Sequence, residues 1–331
     1  MEIEKISSPE ADAKGKTLAG WPGRMLRTYG PWLGAIGVLV YLFQEVPLEE
    51  AWLAARSARL DLFFPEIVAA ILVWFLLDSR ALAYLLTRFN APVSWPEARS
   101  MRGVTYLLTV LNWNVGTAAI ILYLRRTKRV PALEATGSMF FYGNCDALIM
   151  TTLALVGALA LENSPAVETI RKAALGFMAF LALTLLAIVS SRPDWRWLQK
   201  IRGAAIVRSY RLAVPKDFLF VLGIKLGYFI VFIWIFWAGS HAFGIQIPFA
   251  LALASAPAVM LVAALPIAPA GLGTQAAAMV FFWSDYGSKA EILAFGLVFP
   301  VALVVGRCLL GLLYLGDLKT LRSPAETGEI E

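Results

Sequence analysis

The residues with chemistry to offer are charged and amide side chains that interrupt long apolar runs. Arg307 stands in the middle of the run FPVALVVGRCLLGLLYL. A charge at the centre of a membrane helix costs at least ~2.5 kcal/mol on insertion scales, so it must serve a polar site or be held in place as an ion pair or carbonyl clamp. Asp146, in FFYGNCDALIM with Asn144 two residues before it, is the partner that depth alone suggests for Arg307. Lys225 stands close enough to one end of its run for its long stem to carry the ammonium to the interface. Asp78 and Arg80 lie near a run's end and, two residues apart, point to different helix faces, which suits interfacial anchors.

A second group interrupts the backbone. Asn112 and Asn114 sit in the middle of GVTYLLTVLNWNVGTAAIILYL, where amides can cap exposed backbone groups or coordinate a headgroup. Gly271 and Gly273 build a tight turn after Pro269, and Gln275 opens the apolar helix that follows. A helix start at membrane depth offers unpaired N–H groups to a phosphate, although a lone Gly-x-Gly is a weak signal. Motifs of soluble enzymes are missing. His241 is the single histidine, and there is no phosphate-binding P-loop, nucleophile elbow or CxxC pair. No cofactor, metal site or catalytic residue is therefore expected. Cys145 and Cys308 both lie in apolar runs, so a disulfide framework is not expected either.

These residues need a bilayer around them. Of the 331 residues, 59% are hydrophobic and 16% charged, and the mean hydropathy is +0.70. Soluble domains carry about a quarter charged residues. Runs of ~20 apolar residues, enough to span a core ~30 Å thick, recur at roughly 30–45, 62–87, 137–161, 169–190, 218–237 and 290–315. The net charge of +6 does not mark a nucleic-acid binder, because the basic residues are scattered through short loops and there bias orientation.

Two further apolar regions, 103–124 and 249–285, are interrupted by the Asn and the Pro/Gly residues respectively. If 103–124 crossed once, the basic cluster Arg125-Arg126-Thr127-Lys128-Arg129 would fall on the opposite side from the N-terminal tail, and most Lys and Arg would lie outside. If it enters and leaves on one side, only Arg56, Arg59, Arg171, Lys172 and Lys289 remain in outer loops. The second arrangement obeys the positive-inside rule. The same parity makes 249–285 enter and leave from the outside, as two half-spans or two full spans around a tight turn. The expected fold is all-α and polytopic, with about six full transmembrane helices plus two broken, re-entrant hairpins dipping in from opposite faces. Such a pair is the pattern of an inverted-repeat transporter with a site between the breaks.

Residues 48–61 and 194–212 mix aromatic and aliphatic residues with charges, as helices in the headgroup layer do; solvated connectors read the same way. The expected organisation is a cytoplasmic tail (1–28), one transmembrane domain (29–318) and a second cytoplasmic tail (319–331) in an inner or plasma membrane.

The segment Ala264–Ala277, with Pro269-Ala270-Gly271-Leu272-Gly273, followed by a last span carrying Arg307, resembles the transmembrane region of lysylphosphatidylglycerol synthases, a flippase-like membrane family. The basic cluster after 103–124 and the following span with Asp146 are similar too. The likeness runs over roughly 30–318. Members often carry a Glu just after the glycine turn, where this chain has Thr274-Gln275-Ala276, and the aminoacyl-transferase domain of the full synthase is not expected here. The resemblance implies movement or handling of membrane lipids, anionic or phosphate-bearing, and not lysine transfer. Two other classes stay open: an accessory protein supporting a separate lipid- or glycan-modifying enzyme, and a membrane-embedded lipid phosphatase.

Overall fold

The computed structural model describes residues 44, 46–109, 113–189, 195–264 and 273–317, and every regular element among them is helical. An amphipathic helix α1 (Leu48–Ser57) comes first, with Leu48, Trp52 and Leu53 exposed. Next come α2 (Leu60–Phe89), α3 (Trp95–Thr109), α4 (Trp113–Thr127), α5 (Ala132–Leu159) and α6 (Pro165–Val189). Short helices α7 (Arg196–Gly203) and α8 (Arg208–Leu212) then lead to α9 (Pro215–Ala242), α10 (Phe249–Ala264), α11 (Thr274–Trp283) and α12 (Lys289–Leu312). Five of these, α2, α5, α6, α9 and α12, are long and apolar enough to cross a bilayer. The span expected at 30–45 lies almost wholly outside the described residues.

Helix is the only way an isolated segment satisfies its own backbone in lipid, and local signals set where the helices begin. Ser288 and Glu291 cap the start of α12 reciprocally, the Ser288 hydroxyl accepting from the Glu291 N–H at 3.2 Å. Pro215 opens α9, where its missing N–H costs nothing, and Asp217 accepts from the Val214 N–H at 2.9 Å.

The broken regions are hairpins of short helices. The 15 residues of α3 and of α4 each run roughly 22 Å, too little to cross. Glu97, at the start of α3, accepts from Tyr123 and pairs with Lys128 (3.0 Å) beyond the end of α4. The hairpin thus returns to the side it left. The second hairpin closes likewise: the Gln246 N–H, before α10, donates to Tyr286 O, after α11 (3.1 Å), and Trp283 Nε1 donates to Ser255 Oγ (3.1 Å). With 16 residues up to Ala264 and 10 from Thr274, α10 and α11 are each shorter than a full span, and the residues between them lie outside the described ones. Following the chain through α2, α5, α6 and α9 brings the second hairpin in from the face opposite the first.

The order span–hairpin–span therefore occurs twice, as α2 to α5 and as α9 to α12, in reversed direction. The packing follows that order: α2 lies on α9, α5 on the second hairpin's α10, and α12 on the first hairpin's α3. At the end where α2 begins, Phe63, Phe236, Phe295, Phe299 and Trp283 form an aromatic core with centroids 4.9–6.4 Å apart. Such pairs contribute ~0.5–1.5 kcal/mol each beyond burial. At the other end lie the basic loops. Leu175, Phe180, Leu183 and Leu186 of α6 are exposed, as lipid-facing residues are.

One boundary differs from the sequence expectation. The first hairpin begins at Trp95, not 103, because the polar start of α3 carries little hydropathy, so Arg99 and Arg102 are helix residues and not loop cations.

Close helix approach supports the second hairpin. A Cβ on Gly296 of α12 would stand 2.7 Å from the Ala276 Cα of α11, whereas one on Gly176 of α6 meets nothing within 4 Å. Gly296→Val should cost about 1–3 kcal/mol by overpacking, read as a lower melting temperature in detergent, with Gly176→Val near wild type. In a background without Cys145 and Cys308, cysteines placed at Ala91 and Thr127 should label from the same side of sealed vesicles. Labelling from opposite sides would rule out the re-entrant hairpin.

Candidate functional site

Five charged side chains from five helices meet or nearly meet inside the bundle. Asp78 (α2) and Lys225 (α9) are 3% and 2% exposed. Lys225 Nζ donates to Asp78 Oδ1 at 3.0 Å and lies 2.8 Å from Asp146 Oδ1 of α5. Arg102 of α3 pairs its Nε with Asp78 Oδ2 at 2.8 Å and is 4% exposed. The Tyr142 hydroxyl (α5) donates to the Asp78 carboxylate, and its ring faces the Lys225 ammonium, 3.5 Å from Nζ to the centroid. Two carboxylates and two cations thus neutralise one another, with an aromatic face against the ammonium.

Arg307 of α12 is the surplus charge. Its guanidinium lies over the rings of Trp74 (5.4 Å) and Tyr106 (5.7 Å). Trp74 stacks on Tyr228 and donates its indole N–H to the Tyr228 carbonyl (3.0 Å). Among the described residues Arg307 makes no ion pair, and its buried Nε has no hydrogen-bond partner. A half-buried guanidinium whose Nε is buried and unmet, with no counter-charge among the described residues, keeps hydrogen-bonding capacity in hand.

Several sequence expectations change. Asp146 is not the partner of Arg307, because Lys225 takes its carboxylate. Lys225 does not snorkel; α2, α5 and α9 close around it and two carboxylates hold it inside. Asp78 is no interfacial anchor, since Arg102 and Lys225 both reach it, whereas Arg80 does point outward and is exposed. Asn144 is turned away from the cluster and donates to the Tyr210 hydroxyl of α8. Gly273, at φ 83°, holds a left-handed conformation suited to glycine at the start of α11, and Gln275 beside it is half-buried. Asn112, Gly271 and the side chain of Asn114 lie outside the described residues. The sequence reading missed Arg102, Tyr142, Trp74, Tyr106 and Tyr228. The available signal was Arg102 standing seven residues after Trp95, on one face of a helix that starts earlier than its apolar run. No group of three or more metal-ligating side chains occurs among the described residues.

The model of the family described as the lysylphosphatidylglycerol synthase TM region matches residues 30–311. The chain belongs to this family. A comparison with curated proteins finds no match. The matched range takes in α2 to α11 and nearly all of α12, so the charge cluster and both hairpins lie within the lysylphosphatidylglycerol synthase TM region. Membership ties the chain to membrane lipids.

The two kinds of buried cation should respond differently to removal. Lys225→Met leaves Asp78 short of one partner and Asp146 without its cation. Breaking such a pair costs about 3–5 kcal/mol, a melting-temperature loss on the order of 10 °C in detergent. Arg307→Met strands no carboxylate and should lower the melting temperature far less.

Proposed function

We propose that the protein moves a polar lipid headgroup across the membrane, with Arg307 as counter-charge for the headgroup phosphate. The observation that carries this reading is the surplus positive charge: Asp78 and Asp146 are both taken by Lys225 and Arg102, and Arg307 keeps an unmet donor. A phosphate accepts from guanidinium N–H groups in a bidentate geometry, and water-poor surroundings strengthen the contact. The rings of Trp74 and Tyr106 hold the guanidinium in place without neutralising it. Asp146 is the more open of the two carboxylates, its side chain 21% exposed against 4% for Asp78. The Lys225–Asp146 pair is therefore the side of the cluster a headgroup can approach. The two hairpins of short helices, entering the bundle from opposite ends, support this reading, because inverted-repeat transporters carry such a pair beside their site. The basic end, with Arg125, Arg126, Lys128 and Arg129, is assigned to the cytoplasm by the positive-inside rule.

The test is translocation of fluorescent phospholipids in proteoliposomes. Wild-type protein should speed movement over protein-free vesicles, and Arg307→Gln should slow it at least about tenfold, the value of one charge-assisted contact. Wild-type protein indistinguishable from empty vesicles for several phospholipids would overturn the proposal.

A further inference from the structure

A groove of about 500 Å³ opens at the basic end between α2 and the start of α3, lined by Arg80, Tyr84, Thr87, Arg88, Ser94 and Trp95. Its charge is one-sided. Arg88 gives its Nε to Asp217 (3.2 Å) and one terminal N–H to the Leu212 carbonyl (3.0 Å). Arg80 is exposed and pairs with no carboxylate among the described residues. Trp95, 39% exposed, is fixed by its indole N–H to Ser79 Oγ (3.1 Å), which sets an amphipathic ring at the mouth. Arginine beside an anchored tryptophan at the depth of the interface suits a phosphodiester with its glycerol against the ring.

The groove does not stand alone. Trp95, Arg99, Arg102 and Tyr106 follow one another at i, i+4, i+7 and i+11, so they form one stripe along α3. The Arg99 guanidinium lies 5.0 Å from the Trp95 ring, and its buried Nε has no hydrogen-bond partner among the described residues. Arg102 is neutralised by Asp78. Tyr106 ends the stripe against Arg307. Over roughly 16 Å, the rise of 11 residues, the stripe runs from Arg80 and Trp95 at the surface, past Arg99, to the unmet cation inside.

We propose that the α2–α3 groove is a separate binding site for the headgroup of an anionic phospholipid, and that Arg99 passes it along α3 towards Arg307. The site stands on its own; the route rests on the reading of Arg307 given above. Arg80 and Trp95 capture the phosphate and glycerol, Arg99 offers the next unmet donor, and Arg102 stays passive because Asp78 occupies it.

Native mass spectrometry of the purified full chain, titrated with phosphatidylglycerol, tests the site. Arg80→Gln and Arg99→Gln should each weaken the tightest phosphatidylglycerol binding roughly tenfold. Arg80→Lys should restore most of it, and Lys172→Gln at the opposite end should bind as wild type. In proteoliposomes, the slower movement in Arg80→Gln should recover as the phosphatidylglycerol fraction is raised, whereas that in Arg307→Gln should not. Unchanged binding in both Arg80→Gln and Arg99→Gln overturns the site. Displacement of the lipid by an equal concentration of glycerol phosphate overturns the lipid assignment in favour of a free phosphate. If wild type moves no lipid but Arg80→Gln still loses phosphatidylglycerol, the reading of Arg307 falls and the groove stands.

Discussion

An ammonium buried inside a membrane protein cannot be left to itself, and the sharing of Lys225 between Asp78 and Asp146 sets the arrangement of the rest. Removing either charge from water costs several kcal/mol, recovered only through close, well-oriented partners. That requirement draws α2, α5 and α9 together at one depth. Because Asp78 also takes Arg102, the first helix of the re-entrant hairpin is pinned to the same point. The hairpin is too short to anchor itself by spanning, so an ion pair near its middle and the Glu97–Lys128 pair at its mouth fix its depth.

Away from this point the bundle relies on contact rather than charge. Lipid tails are as apolar as leucine, so helices associate through packing and small residues. The two ends of the molecule meet that need differently. The end where α2 begins is filled by interlocked aromatic rings around Phe236 and Phe295. The basic end is tied by polar side chains, among them Arg88–Asp217, Arg208–Glu134 and Asn144–Tyr210. Gly296 lets α12 come down on α11, so the second hairpin is held by shape where the first is held by charge.

The sequence carried the architecture well because hydropathy length and loop charge are properties of segments. The balance of Lys and Arg between loops required the 103–124 region to return to its own side, and the Glu97–Lys128 pair closes that hairpin. Individual roles were less legible because they depend on which faces meet. Lys225 stands close enough to an interface to snorkel by reach alone; only the approach of two acids from other helices keeps it in. Asp146 and Arg307 match in depth, yet depth says nothing of azimuth, and Asp146 faces α9. Arg102 was hidden for another reason. It precedes the apolar run that defined the hairpin, so it read as a loop cation, although the i, i+7 relation to Trp95 placed it on the inner stripe of α3.

The repetition of span–hairpin–span in reversed direction has a consequence for how the two ends of the bundle can differ. A framework that offers each leaflet the same sequence of elements has no intrinsic polarity. Any difference between the two ends then has to come from what the two halves do not share. Here that is the arginine-lined recess beside α3, at one end, and the ring-packed core at the other.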